Sequence, residues 1–183
     1  KAAALSTVQI DVENAHTYDI NYVDENGEKK KPLILHASLS GAVERVMFAI
    51  LEKEGMKIKR GEKGNFPFFL APIQVRLIPV SQEYVEHALK LWEELKEIAR
   101  VDVDDRDETL SKKIREAQQE WVPYIVVIGE KEVKEGTLAV TERKTNQKHT
   151  WRLEDLKNAI LSQQKHFHEL NMPYLLSKRV RFK

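Results

Sequence analysis

Cysteine is absent from the 183-residue chain, which excludes a disulfide framework, a cysteine-built zinc ribbon and a thiol nucleophile, and fits a reducing compartment. Glycine and proline are scarce, at 7 and 6 residues, and 42% of the chain is hydrophobic, so disorder and low complexity are excluded as well. No apolar run approaches the roughly 20 residues that cross a bilayer, and there is no signal-peptide core, so a folded, soluble, cytoplasmic protein without a membrane partner is expected. Charge of one sign is missing too: 30 basic side chains stand against 29 acidic ones. By segment, residues 1–64 carry ten basic and ten acidic side chains, 65–164 carry 15 and 18, and 165–183 carry five and one. Composition therefore does not propose a nucleic-acid binder, and the basic tail (Lys165, Lys178, Arg179, Arg181, Lys183) reads first as a solvated end. The chain opens on Lys1 rather than Met, as a piece of something longer would.

What is present divides in two. Val8, Ile10 and Val12 alternate with polar residues, as do Tyr18, Ile20 and Tyr22, which predicts two half-buried strands. Asn26-Gly27 suits a tight hairpin turn, Leu33 to Ser38 reads as the next strand, and Val43, Val46, Met47, Ile50 and Leu51 fall at helical spacing with Gly55 as the stop. The Gly-, Pro- and Lys-rich stretch 57–67 reads as a solvated linker, which places a domain boundary between 64 and 65. Beyond it the pattern predicts strand 74–80, helix 83–99, strand 101–103, helix 107–120, strand 124–128, two short strands near 138–141 and 149–152, and a helix from Leu153 to about Phe167. Tyr124 to Ile128 is apolar at every position, as in a strand covered on both faces. The fold class is α/β: an antiparallel-sheet fragment at 1–64, then a small mixed-sheet domain at 65–183.

Three places carry chemistry. Gly41-Ala42-Val43-Glu44-Arg45 puts a guanidinium one turn into a helix, where it either holds a phosphate beside the free N–H groups or forms an ordinary Glu-Arg surface pair. His36, on the opposite strand face from Leu33 and Leu35, reads as a metal ligand, a base or a hydrogen-bonded structural histidine; alone it makes no metal site, and His16, His149, His166 and His168 show no ligand spacing. The run Asp102, Asp104, Asp105, Arg106, Asp107, Glu108, leading to Lys112-Lys113-Ile114-Arg115, reads as helix caps at Asp107 or Thr109, or as a ligand loop at the carboxyl end of a strand.

In order, Thr7-Val8-Gln9-Ile10-Asp11, Pro32-Leu33-Ile34-Leu35-His36 and Gly41-Ala42-Val43-Glu44-Arg45 resemble the end of a class II aminoacyl-tRNA synthetase core, the last group being similar to its motif 3. Leu70-Ala71-Pro72-Ile73-Gln74-Val75 resembles the opening of the anticodon-binding domain shared by the threonyl, prolyl, histidyl and glycyl enzymes. His36 nine residues before Arg45 (45 − 36 = 9), Asp104 to Leu110 leading to Lys113-Ile114-Arg115, Trp121 to Tyr124, and Gly129 to Val133 bring the resemblance to the threonyl enzymes of archaeal type. The charged, cysteine-free composition also suits a thermophile.

The resemblance implies an enzyme that activates threonine with ATP and Mg2+ and passes it to tRNA(Thr), as a homodimer in its full length. It implies that Arg45 binds the ATP phosphates, that Thr7 and Gln9 line the adenosine and ribose pocket, and that His36 is the third ligand of a Zn2+ that discriminates threonine from valine through the hydroxyl. It implies that Glu132 reads an anticodon base, with Asp107 and Arg115 near the anticodon loop. Ala42 replaces a serine that contacts ATP, Ala4 an active-site polar residue, and Thr141 an anticodon-contacting arginine of bacterial members. Motifs 1 and 2 and the other two zinc ligands are not in this sequence, so the 183 residues alone are expected not to aminoacylate. A free-standing tRNA-binding accessory module is the alternative; a flavodoxin-like nucleotide binder is weaker, since no Gly-rich phosphate loop follows a strand.

Overall fold

The computed structural model describes residues 4–180, so Ala2, Ala3, Arg181 and Lys183 lie outside the described residues. Two compact units form, one up to Met56 and one from Lys57 onward. They divide short of the 64/65 boundary drawn from the sequence because the linker packs on the second unit: the Gly64 carbonyl accepts from Arg143 Nε (2.9 Å), and the Phe66 and Trp121 rings lie 4.9 Å apart.

In the first unit β1 (Thr7–Asp11) pairs antiparallel with β4 (Ile34–Ser38), with Gln9 directly opposite His36 and Ile10 opposite Leu35. Asp11 accepts from the backbone N–H groups of Glu13 and Asn14 (both 2.9 Å) and starts α1 (Asn14–Thr17). This local cap overrides the alternation that predicts a strand at Tyr18 and Ile20. The ladder begins only at β2 (Tyr22–Val23), which pairs with β3 (Lys29–Lys30) across the Asn26-Gly27 turn, where Gly27 has φ +81°. Helix α2 (Val43–Lys59) runs through Gly55, since one glycine costs only about 1 kcal/mol inside a helix. It closes at Gly61 (φ +81°), with Glu62 N donating to Lys57 O (3.0 Å).

The second unit is a five-stranded sheet in the order β6-β5-β7-β8-β9, from β5 (Val75–Pro79), β6 (Val101–Val103), β7 (Tyr124–Ile128), β8 (Leu138–Glu142) and β9 (Lys148–Trp151). β5 is parallel to both β6 and β7, and the last three strands are antiparallel. Because β6 and β7 flank β5 on opposite sides, right-handed crossovers send α3 (Val85–Leu95) and α4 (Leu110–Gln119) to opposite faces. Val75, Leu77, Val126 and Val140 pack with Ala88, Leu91 and Leu95 of α3 and with Leu156 and Ile160 of α6 (Leu153–Gln163). On the other face Ile73, Ile78 and Ile125 meet Ile114 and Ala117 of α4. A short helix, α5 (Glu130–Glu135), follows β7 and ends at Gly136 (φ +66°).

Of the basic carboxyl-terminal stretch, Lys165 and Lys178 are exposed, but the segment 173–179 is held on the sheet domain. Val103 N donates to the Tyr174 carbonyl (2.8 Å), Tyr174 stacks on Trp92 with ring centroids 4.0 Å apart, and Leu176 is buried. Residues 173–179 thus strap the free edge of β6, which would otherwise present unpaired backbone groups. Arg179 reaches Asp102 through Nη1 (2.8 Å) and the Pro173 carbonyl through Nε (2.7 Å).

Candidate nucleic-acid interface

Helix α4 packs Ile114 and Ala117 on the sheet and is held further by charge. Arg76, fully buried on β5, donates to both oxygens of Asp102 (2.9 and 2.8 Å) and to Glu120 after the last turn of α4 (2.6 Å). Burial pulls the pKa of this guanidinium down, but the hydrogen bonds and charge of Asp102 and then Glu120 outweigh it and hold it above the ordinary arginine value. Arg106 grips Asp104 in the same bidentate way (2.7 and 2.6 Å) and reaches Glu116 (2.8 Å). Lys113 is buried with Nζ on the carbonyls of Pro79 (3.3 Å) and Asp104 (3.0 Å), and its pKa is pushed down by burial. Thr109 caps the helix, its hydroxyl accepting from Lys112 N (3.4 Å). The acidic run is therefore mostly framework: Asp102 and Asp104 hold arginines and Asp105 accepts from Ser177, while Asp107 stays exposed on the loop after β6.

With α4 fixed, its outer side and the β8-β9 turn enclose a groove of about 270 Å3 lined by Lys63, Arg115, Gln118, Gln119, Ile125, Thr141, Arg143 and Asn146. Three cations and no carboxylate line it, in a chain whose net charge is only +1. Arg143 is committed: Nε serves Gly64 O, Nη1 serves Gln118 O (2.6 Å), and its guanidinium lies 5.3 Å from the centroid of the Trp121 ring. The Arg115 side chain makes no hydrogen bond or ion pair with another described residue, and Lys63 bonds the neutral amide of Asn146. Asp107 and Glu132 do not line the groove; they stand beyond the carboxyl ends of β6 and β7. Glu132 Oε2 accepts from Gly129 N (3.0 Å) at the start of α5, and Oε1 makes no hydrogen bond with a described residue.

In the first unit the strand register places Thr7, Gln9, Asp11, His36 and Ser38 on one face. His36 Nε2 lies 3.2 Å from Asp11 Oδ2. The Asp11 pKa falls to about 2 through the backbone N–H groups of Asn14 and then Glu13, with the Asn14 and His36 side chains adding to it. A carboxylate depressed in this way stabilises the fold fully above the unfolded value near 3.8 and loses that contribution as pH falls through about 2. An NMR titration of Asp11 is expected to show a midpoint near 2; a midpoint near 3.8 would contradict this geometry. Arg45 donates through Nη1 to the Ala4 carbonyl (3.2 Å). Gly41 (φ +62°) sits where a Cβ would stand 2.7 Å from Leu5 O, so only glycine fits this approach. Among the described residues no three His, Asp or Glu side chains converge so as to hold a metal, and His36 with Asp11 does not make a zinc site.

The anticodon binding domain family matches residues 74–163. The whole chain is 54% identical to part of the threonine-tRNA ligase of Pyrococcus furiosus and 48% identical to part of that of Methanothrix thermoacetophila, spanning about 30% of the length of each. A solved structure, the RNA binding domain of threonyl-tRNA synthetase from Cryptosporidium parvum, superposes over 87% of this chain and 39% of its own with a TM-score of 0.68 at 30% identity.

The chain belongs to the threonyl-tRNA synthetase family.

It corresponds to the carboxyl-terminal region of that synthetase, including its anticodon-binding domain. Arg143, two residues beyond Thr141, is engaged by two backbone carbonyls and the Trp121 ring. Sequence reading passed over Lys63, Gln118, Gln119 and Asn146. The usable signal was the Gln118-Gln119 pair just after Arg115, two uncharged hydrogen-bonding side chains on an exposed helix end.

Proposed function

We propose that this chain is the anticodon-reading part of a cytoplasmic, homodimeric enzyme of archaeal type that activates threonine with ATP and transfers it to tRNA(Thr). The observation that carries the reading is the groove between α4 and the β8-β9 turn, electropositive in an otherwise balanced chain and flanked by uncharged donors and acceptors. Splayed anticodon-loop bases need such a surface, with cations for the phosphates and amides or hydroxyls for base edges. Arg115 acts on the loop backbone. Glu132, its Oε1 uncommitted, accepts from a base amino or imino group, and Asp107 lies at the margin of the loop's path.

In the first unit Arg45, one turn into α2 with the Ala4 carbonyl as its side-chain partner among the described residues, holds the ATP phosphates, and Thr7 and Gln9 line the nucleotide's sugar and base. ATP with Mg2+ supplies the leaving pyrophosphate. His36 is the contribution of this chain to a zinc centre whose remaining ligands are not found among the described residues.

The test is binding of a threonine-tRNA anticodon stem-loop to the 183-residue chain. Arg115→Ala is expected to weaken binding of every sequence alike. Glu132→Gln keeps an oxygen for Gly129 N–H but removes the charge, and is expected to cost roughly tenfold in discrimination at one base. Failure of the wild-type chain to prefer the threonine stem-loop over a scrambled one would overturn the reading.

A further inference from the structure

We propose that Lys63 is a phosphate-binding residue of this groove, held in reserve by Asn146, so that RNA entering the groove takes the ammonium from the amide. The inference rests on the anticodon-binding reading above and adds a residue from outside the matched family region, which begins at residue 74.

Residues 57–67 read as a solvated linker, yet the structure fixes this stretch against the sheet domain. Gly64 lies so close to the Trp121 indole that a Cβ would stand 2.7 Å from it, and Arg143 holds the Gly64 carbonyl. Lys63 is therefore presented at the groove wall by anchored backbone. Of the three cations there, Arg143 is engaged by two carbonyls and a ring, which leaves Arg115 and Lys63 to meet an anion. Among the described residues the Lys63 ammonium bonds only the side-chain oxygen of Asn146, which sits in the left-handed region (φ +61°) of the β8-β9 turn. A hydrogen bond from an ammonium to a neutral amide is readily exchanged for one to a phosphate oxygen, which adds charge attraction. Arg115 on α4 and Lys63 on the linker then grip the single strand at two phosphates, with Gln118, Gln119 and Thr141 also on the wall.

The experiment measures affinity of the chain for the threonine-tRNA anticodon stem-loop between about 50 and 200 mM salt for wild type, Lys63→Ala, Lys63→Arg and Asn146→Gly. One phosphate contact to a single strand contributes a slope of about 0.7 in log K against log salt, or about fivefold at roughly 0.1 M. Lys63→Ala is expected to lose both, with base preference unchanged, and Lys63→Arg to restore them. Asn146→Gly removes the partner while suiting the positive φ, and is expected to leave binding equal or tighter. If wild type binds and Lys63→Ala keeps its affinity and salt slope, the role of Lys63 is overturned and the groove reading stands. If Lys63→Ala and Asn146→Gly weaken binding equally, Lys63 merely fastens the turn and the proposal fails. If wild type does not bind, both readings fall.

Discussion

Asp102→Ala is expected to lower the stability of the sheet domain by about 3–5 kcal/mol, the cost of breaking a buried pair while leaving the opposite charge in place. Asp102 is fully buried at the edge strand β6 and is shared by Arg76, itself fully buried, and by Arg179 of the carboxyl-terminal strap. Removing its carboxylate strands two guanidinium groups at once, and only Glu120, partly exposed, remains to balance Arg76. For a domain of this size the melting temperature is expected to fall roughly 10–20 °C. The strap should also loosen, so limited proteolysis is expected to cut near residue 173 in the variant before the sheet domain unfolds. Arg179→Ala removes one partner but leaves the Arg76 pair intact, and its expected cost is smaller, about 1–2 kcal/mol. The two together separate the buried pair from the strap. A melting temperature for Asp102→Ala within a few degrees of wild type would show that water or a rearranged Glu120 satisfies Arg76, and that apolar packing holds α4 without the full ion network.

That network also marks the limit of what the sequence discloses. The β7 run from Tyr124 to Ile128 is legible because burial on both faces leaves no polar position, and the α3 stripe because its apolar residues recur at helical spacing. Asp102 and Arg179 are 77 residues apart, and no local pattern ties an acidic strand residue to a basic tail. The same distance problem hid the groove, whose walls come from the linker, α4 and the β8-β9 turn. Helix α5 escaped because six residues give too little periodicity and its start rests on one carboxylate, Glu132, that the family resemblance assigns to anticodon reading. Alternation in β1 and β4 does give strands with a polar and an apolar face. It does not reveal that the apolar face is uncovered, with Val8, Ile10 and Leu35 each between 65 and 69% exposed.

That uncovered face underlies the second large effect: the 183-residue chain is expected to form no threonyl adenylate at a measurable rate, whereas in the complete synthetase Arg45→Ala is expected to cut ATP-pyrophosphate exchange by about 10²–10³-fold. A five-residue, two-stranded ladder is marginal by itself in water, and here both its faces are open. Its polar face carries Thr7, Gln9 and His36, and its apolar face needs neighbouring strands to hold the polar one still to within the fraction of an ångström that catalysis demands. Among the described residues the Arg45 guanidinium bonds only the Ala4 carbonyl, so no second described partner fixes it for the phosphate-binding role proposed above. Exchange assayed in parallel on the chain, the complete enzyme and its Arg45→Ala and Glu132→Gln variants distinguishes the two units. Arg45→Ala should lose amino-acid activation, while Glu132→Gln should keep it and lose only discrimination among tRNA anticodons. Adenylate turnover by the isolated chain, or an Arg45→Ala enzyme within twofold of wild type, would place the phosphate-binding charge elsewhere.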